Sequence, residues 1–283
     1  MRALKGNDTS ISHTTYAADD ETATAATGNV VVTVEREDGT ALAGGNATGS
    51  NPYAFNLTAA SHTDELDELT VTWTGTVSSR VVSHTDYVKV VGARYFRLKT
   101  LRGMSGLPNT TQNADLVWAR DIAEDFVEEF TEHAWVPTYQ RDIEDGDNCR
   151  ELTLSRTSVR RLINVTVDGV AQSTTNWSVT NWGRVITDGD LFIVKIPQGN
   201  NISVAYEWGE KAPPGDLMRA TLMLARHILL TAQGSPIPDR ARLMQTDWGM
   251  FHLDTASEDK PTGMPEIDAV LRRYRREQPG WVV

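Results

Sequence analysis

The side chains that most often do chemistry are spread thinly along this sequence. No Walker loop, GxGxxG or GxSxG pattern is present. The six histidines form no HExxH motif and no pair four residues apart; they are His13, His62, His84, His133, His227 and His252. Because an enzyme needs convergent reactive groups, we predict a non-enzymatic protein with no catalytic residues, no cofactor and no metal site.

The only cysteine, Cys149, is a poor candidate for a reactive thiol. It lies in the acidic stretch DIEDGDNCRE, where negative neighbours raise a thiol pKa instead of activating the thiolate. A single cysteine builds neither a disulfide framework nor a thiolate metal site within the chain. Together with an N-terminal stretch that lacks the apolar core of a signal peptide, this predicts a soluble protein made in a reducing cytoplasm.

The negative charge is concentrated in one segment. The formal net charge is −11 over 283 residues. Residues 113–148 carry two basic and eleven acidic side chains, a balance of −9, whereas residues 149–283 balance at +1. This distribution predicts an acidic face and not a uniformly acidic protein.

These side chains must be positioned by regular elements, and residues 1–98 have the pattern of a β-sandwich. NVVVTVERED (29–38) alternates apolar and polar residues, and an Asp-Gly pair at its end predicts a hairpin turn. LTVTWTGTV (69–77) continues the alternation and places Trp73 at the centre of the core. We predict an N-terminal immunoglobulin-like sandwich held by packing, without the usual cysteine pair.

Residues 99–112 predict a linker, and residues 113–135 predict a long helix with Asn113 as its N-cap. The apolar residues of this helix recur at intervals of three and four: Leu116, Ala119, Ile122, Ala123, Phe126, Val127 and Phe130. Its other face is acidic: Asp121, Glu124, Asp125, Glu128, Glu129 and Glu132. The helix therefore has one face for the core and one for solvent.

A β region follows over residues 136–208, and a second helix over 212–231. The predicted strands lie near residues 150–156, 160–168, 184–187, 191–196 and 201–208. The second helix is apolar on almost every side, so it needs cover on every side, and a neighbouring subunit can provide part of it. The candidates for that contact are Leu217, Met218 and Leu222.

The last segment predicts a helix over 265–276 and an extended arm over 277–283. Its arginines could contact phosphate, but arginine is ordinary at a helix C-terminus, no aromatic platform interleaves with it, and the chain is acidic. The narrow apolar stripe argues against a membrane surface. Arg, Tyr and Trp dominate protein-binding hot spots, so we predict a protein contact through Arg272, Arg273, Tyr274, Arg275, Arg276, Trp281, Val282 and Val283.

Three segments resemble the head-to-tail adaptor proteins, also called head-completion or connector proteins, of long-tailed phages that infect actinobacteria. They are PTGMPEIDAVLRRYRR (261–276), ADLVWARDIAEDFVEEF (114–130) and EWGEKAPPGDLMRATLMLARHILL (207–230). The β region before GARYFRLKTLR is similar to the immunoglobulin-like extension of many such proteins. The first of the three segments is the most specific part of the resemblance, which spans most of residues 20–278.

The resemblance implies a multi-domain α+β virion protein of the head–tail neck, assembled in the host bacterial cytoplasm. It implies an adaptor domain over 113–283, a helical bundle with a β insertion, a C-terminal helix and an arm. Twelve copies are expected to form a ring beneath the portal protein, extending the DNA channel and docking the neck stopper or tail connector protein. Viral double-stranded DNA would pass through without specific binding.

Two hypotheses extend this implication to particular residues. The acidic side chains Glu124, Asp125, Glu128, Glu129 and Glu132 could face the lumen and keep the duplex mobile by repulsion, or form an ordinary outer face. The terminal arginines and Trp281-Val282-Val283 would hook onto a groove of the portal or of a neighbouring adaptor.

Two rival functions stay open at this point. The first is a capsid- or tail-surface decoration protein whose immunoglobulin-like domain binds glycans. The second is a cell-wall carbohydrate enzyme with an accessory β domain. A ring at the neck, scattered surface density, or turnover of a cell-wall polymer would distinguish the three.

Overall fold

The computed structural model describes residues 1–16, 22–108, 110–146, 149–187, 201–232, 243–246, 249–252 and 262–275. The protein is mixed α+β, with many strands and few helices. It divides into two compact units. The β unit comprises Met1–Ala93 and Val136–Lys211, and the helical unit comprises Arg94–Trp135 and Ala212–Val283. The expected grouping of 113–283 as one domain differs from this division, because the β region 136–208 belongs to the same compact unit as the first 93 residues.

In the N-terminal part of the β unit, the described residues form two sheets. Its strands are β1 (Arg2–Leu4), β2 (Thr9–His13), β3 (Val31–Glu35), β4 (Gly45–Asn46), β5 (Thr48–Gly49), β6 (Tyr53–Leu57), β7 (Asp67–Val77) and β8 (Arg80–Val91). One sheet has the order β1-β8-β7-β3-β4 and the other the order β2-β6-β5. The strand β1 pairs with β8 in parallel, and the other pairs are antiparallel.

The two sheets share one hydrophobic core, as the alternating pattern predicts. Val32 of β3 and Trp73 of β7 are partners in the register and are 0% and 1% exposed. Ile11 and Leu57 from the second sheet belong to the same buried cluster. The predicted place of Trp73 in the core is confirmed, and so is the turn at Gly39, whose φ of 84° suits a residue without Cβ.

In the second part of the β unit, the residues that the structure describes form seven further strands. They are β9 (Thr138–Glu144), β10 (Glu151–Thr153), β11 (Val159–Val167), β12 (Val170–Ala171), β13 (Ser178–Val179), β14 (Arg184–Ile186) and β15 (Ile202–Trp208). They form the sheets β12-β11-β15-β9 and β10-β14-β13. Four of the predicted strands correspond to β10, β11, β14 and β15, and the predicted strand at 191–196 lies outside the described residues.

Among the described residues, the helical unit has four helices and one hairpin. They are α1 (Leu98–Arg102), α2 (Asn113–Thr131), α3 (Gly215–Ala232), β16 (Leu243–Thr246), β17 (Gly249–His252) and α4 (Pro265–Tyr274). The helix α1 lies in the segment predicted as a linker, and its Leu101 is buried. The helix α2 begins at Asn113, so the N-cap is Gln112 and not Asn113 as predicted. Within the described residues, no helix is long and apolar enough to cross a membrane.

Candidate subunit interface

The helix α2 has a buried face and an exposed face that differ from the predicted ones. Leu116, Ala119, Ala123 and Val127 are each fully buried, as predicted. Ile122 was expected beside them but is 38% exposed.

The exposed side of α2 carries a continuous row of four residues. Trp118, Ile122, Asp125 and Glu129 follow one another at intervals of four, three and four residues, so they lie along one side of the helix. We call this row the outer stripe. Its N-terminal half is apolar, with Trp118 50% exposed, and its C-terminal half is acidic. A half-exposed tryptophan on a solvent-facing row is typical of a protein contact.

Two acidic side chains of α2 belong to the interior of the helical unit. Arg94 Nη1 donates to Asp121 Oδ1 at 2.6 Å and to Glu124 Oε2 at 3.3 Å. The Tyr95 backbone N–H donates to Glu124 Oε1 at 3.0 Å, and Glu124 is 0% exposed. The hypothesis that Glu124 lines a channel is therefore wrong for this side chain, because its charge is used by a buried ion pair.

The other three acidic candidates differ in exposure. Glu128 is half-buried and accepts a hydrogen bond from the Tyr95 hydroxyl at 3.3 Å. Glu132, also half-buried, is the C-cap of α2 in the left-handed conformation, with φ 53° and ψ 29°. Asp125 and Glu129 are the exposed members of the set.

A buried carboxylate fixes the start of α4. Asp268 is 2% exposed, and its Oδ1 accepts the Thr262 hydroxyl at 2.7 Å and the Thr262 backbone N–H at 3.0 Å. Ile267 and Leu271 of the same helix are 1% and 0% exposed. The predicted start near Pro265 is confirmed. Thr262 and Asp268 both lie in the segment 261–276, the most specific part of the resemblance, and their hydrogen bonds hold the start of α4 in place.

Contacts within the unit also fix the end of α4. Tyr274 Oη donates to Asp216 Oδ1 at 2.8 Å, and Arg273 Nη1 lies 2.9 Å from Asp216 Oδ2. The hydrogen bond from Tyr274 lowers the pKa of Asp216 and raises the pKa of Tyr274 itself. The Arg275 guanidinium lies 5.3 Å from the ring centroid of Phe130.

The residues predicted to bind a protein partner differ in exposure. Tyr274 is half-buried, and its ring meets Trp135 edge-on at 5.2 Å, so it holds the helix in place. Arg272, Arg273 and Arg275 are exposed. The remaining predicted members, Arg276, Trp281, Val282 and Val283, lie outside the described residues.

The predicted contact residues of α3 fall in three different environments. Leu217 is 0% exposed, so it packs inside the helical unit and cannot cover a neighbour. Leu222 is half-buried and Met218 is 38% exposed. Ala225 and Leu229 are buried, so part of the cover that α3 needs is supplied within the chain.

The helical unit therefore presents two surfaces of opposite character. One is the outer stripe of α2, apolar and then acidic, and the other is the basic C-terminal end of α4. Sequence reasoning missed Trp118 because it grouped Ile122 with the buried face. A Trp–Ile pair four residues apart, outside the Leu116–Val127 row, is the signal that could have found it.

No protein-family model matches the chain, and no curated protein matches it. Among solved structures, a chain from a structure described as "Neck of empty GTA particle computed with C6 symmetry" matches with a TM-score of 0.42 and 17% sequence identity. The match covers 66% of this chain and 93% of the other.

Proposed function

We propose that this chain is a non-enzymatic virion protein, a head-to-tail adaptor whose copies form a closed ring beneath the portal of a tailed phage. The ring extends the DNA channel and docks the next connector protein of the neck. The sequence resemblance of three segments supports this function. The sheets of residues 1–91 would be the immunoglobulin-like extension, and the helical unit would be the ring-forming body.

The outer stripe of α2 is the observation that carries the proposal. A ring needs a heterologous contact, in which one patch of a subunit meets a different patch of the next. The outer stripe and the end of α4 form such a pair: Asp125 and Glu129 of one copy face Arg272 of the next. Trp118 and Ile122 supply the apolar part of the contact, where a buried aromatic anchor contributes most of the binding energy.

Charge reversal in both partners tests this pairing. Arg272→Glu alone, or Asp125→Arg with Glu129→Arg, should lower the yield of particles with completed necks because like charges then meet across the interface. Combining the three changes should restore assembly. Particle yield and negative-stain microscopy of necks provide the measurement.

Two outcomes would overturn parts of the proposal. If the combined variant is no better than the single ones, the two surfaces do not face one another. If Asp125→Arg with Glu129→Arg assembles normally but slows DNA ejection, these carboxylates line the channel and the interface assignment is wrong.

A further inference from the structure

Two polar residues interrupt the apolar inward face of β8. Val88 and Val90 on this face are 1% and 0% exposed. Because side chains alternate along a strand, Asp86 and His84 continue the same row. Residue 84 is the register partner of the buried Trp73 on β7. Two potential metal ligands therefore occupy positions that the sandwich pattern favours for apolar residues.

A third ligand comes from the other sheet. His13 is the last residue of β2, and its ring stacks on that of His84 with centroids 4.4 Å apart and planes inclined by 14°. Because an imidazole binds a metal ion in its ring plane, one of the two rings must rotate about its side-chain bonds for both to bind the same ion. One ligand atom from each of His13, His84 and Asp86 lies within 4.8 Å of the others. The fold thus brings together residues that are far apart in the sequence, which is why their spacing predicted no metal site.

We propose that His13, His84 and Asp86 bind a divalent transition-metal ion of the Zn²⁺ type, with one coordination position left open. Two imidazoles and one carboxylate suit Zn²⁺ and its neighbours, whereas Mg²⁺ and Ca²⁺ prefer oxygen ligands. His84 Nε2 and Asp86 Oδ1 are 3.2 Å apart. Two ligand atoms on one tetrahedral Zn²⁺ are about 3.3 Å apart.

A buried partner holds the carboxylate in position. The indole N–H of Trp73 donates to Asp86 Oδ2 at 2.8 Å, and Trp73 is 1% exposed. This leaves Oδ1 on the side of His84, the arrangement in which outer hydrogen bonds orient metal ligands. Burial and the adjacent His84 lower the pKa of His13, although Asp86 acts in the opposite direction.

The open position has space beside it. A cavity of about 230 Å³ adjoins the cluster and is lined by residues that include Thr14, Tyr16, Ser83, His13 and His84. This volume accommodates a water molecule or a nitrogen or oxygen ligand atom from another molecule. The bound ion would also join β2 to β8, so it would connect the two sheets of the sandwich.

Zinc titration of the full-length, untagged and metal-free protein tests the site. We expect isothermal titration calorimetry to show one Zn²⁺ per chain. Asp86→Asn and His84→Gln should each weaken binding by at least about tenfold. Asparagine keeps an acceptor for the Trp73 N–H, and His84 has a side chain that is 52% exposed, so both variants should keep the fold.

The matched control is His227→Gln in α3, which removes a histidine outside the cluster and should bind Zn²⁺ as the wild type does. The proposal is wrong if the wild type takes up no stoichiometric Zn²⁺. It is equally wrong if Asp86→Asn and His84→Gln both bind as tightly as the wild type, or if millimolar Mg²⁺ displaces the ion. Circular dichroism of each variant shows whether a loss of binding reflects a loss of folding.

Discussion

The β8 strand of the β unit and the α2 helix of the helical unit depart from their expected patterns in opposite ways. On β8, the inward row of valines is interrupted by Asp86 and His84, which are polar where apolar residues are expected. On α2, the outward row contains Trp118 and Ile122, which are apolar where polar residues are expected. Natural sequences are locally consistent except where function requires otherwise. Each departure is the basis of one of the two proposals, a metal ion bound on β8 and a protein contact on α2.

The difference also shows how the same residue type serves different purposes. Acidic residues on α2 are of two kinds, since Glu124 is enclosed with Arg94 while Glu129 faces solvent. In the β unit, Glu207 pairs with Arg160 and Arg161 at 2.8 Å each, and both arginines are more than a third exposed. A count of charges does not distinguish a buried carboxylate from an exposed one, but substitution of each carboxylate does.

The largest effect is expected for the buried carboxylate. Glu124→Ala should lower the free energy of unfolding by about 3–5 kcal/mol, because it leaves Arg94, whose side chain is only 12% exposed, with one carboxylate fewer and removes the acceptor of the Tyr95 N–H. Glu129→Ala on the same helix should change it by less than about 0.5 kcal/mol. Urea unfolding followed by circular dichroism measures both. Equal losses would mean that the two carboxylates are not in different environments.

A loss of assembly without a loss of stability is expected for Trp118. Trp118→Ala should weaken association between copies by roughly 2 kcal/mol or more, about thirtyfold, because an interface anchor is removed. The matched control is Trp182→Ala in the β unit, where the tryptophan is 77% exposed and lies outside the proposed contact. Neck completion in particles should fall for the first variant and not for the second. Identical behaviour of the two variants would remove the outer stripe from the interface.

The smallest effect concerns the exposed ion pair of the β unit. Burial raises the pKa of Glu207, but the hydrogen bonds from Arg161 and Arg160 outweigh it, so the pKa lies below the ordinary value of 4.5. A lowered pKa means that the folded state favours the charged form, so this stabilisation is fully present above the ordinary pKa and is lost as pH falls through the folded pKa. Glu207→Gln should cost less than about 1 kcal/mol near pH 7. The difference in the free energy of unfolding between this variant and the wild type should shrink below pH 4.5. A difference that grows on acidification would mean that the pKa of Glu207 is raised and not lowered.

The sequence predicts the local features of both units well. The rows around Val32 and Trp73 follow from a period of two, and the helices α2, α3 and α4 follow from apolar spacing and end signals. The start of α4 at Pro265 was predictable because proline and acidic residues favour a first turn.

Contacts between distant residues could not be predicted from periodicity. The burial of Glu124 depends on Arg94, which precedes α2 and lies in the segment before α1. The His13–His84 stack depends on two sheets meeting at one edge of the core. The candidate sites arise from such distant pairs. The residue pattern of a single helix or strand shows which of its faces is unusual, but not which distant residue that face contacts.

Cryo-electron microscopy of intact particles containing this protein tests the central proposal most directly. We predict a closed ring of copies directly beneath the portal, with Trp118 of each copy buried against the α4 end of the next. Density for the protein scattered over the capsid or tail, or a neck in which Trp118 faces solvent in every copy, would contradict the proposal.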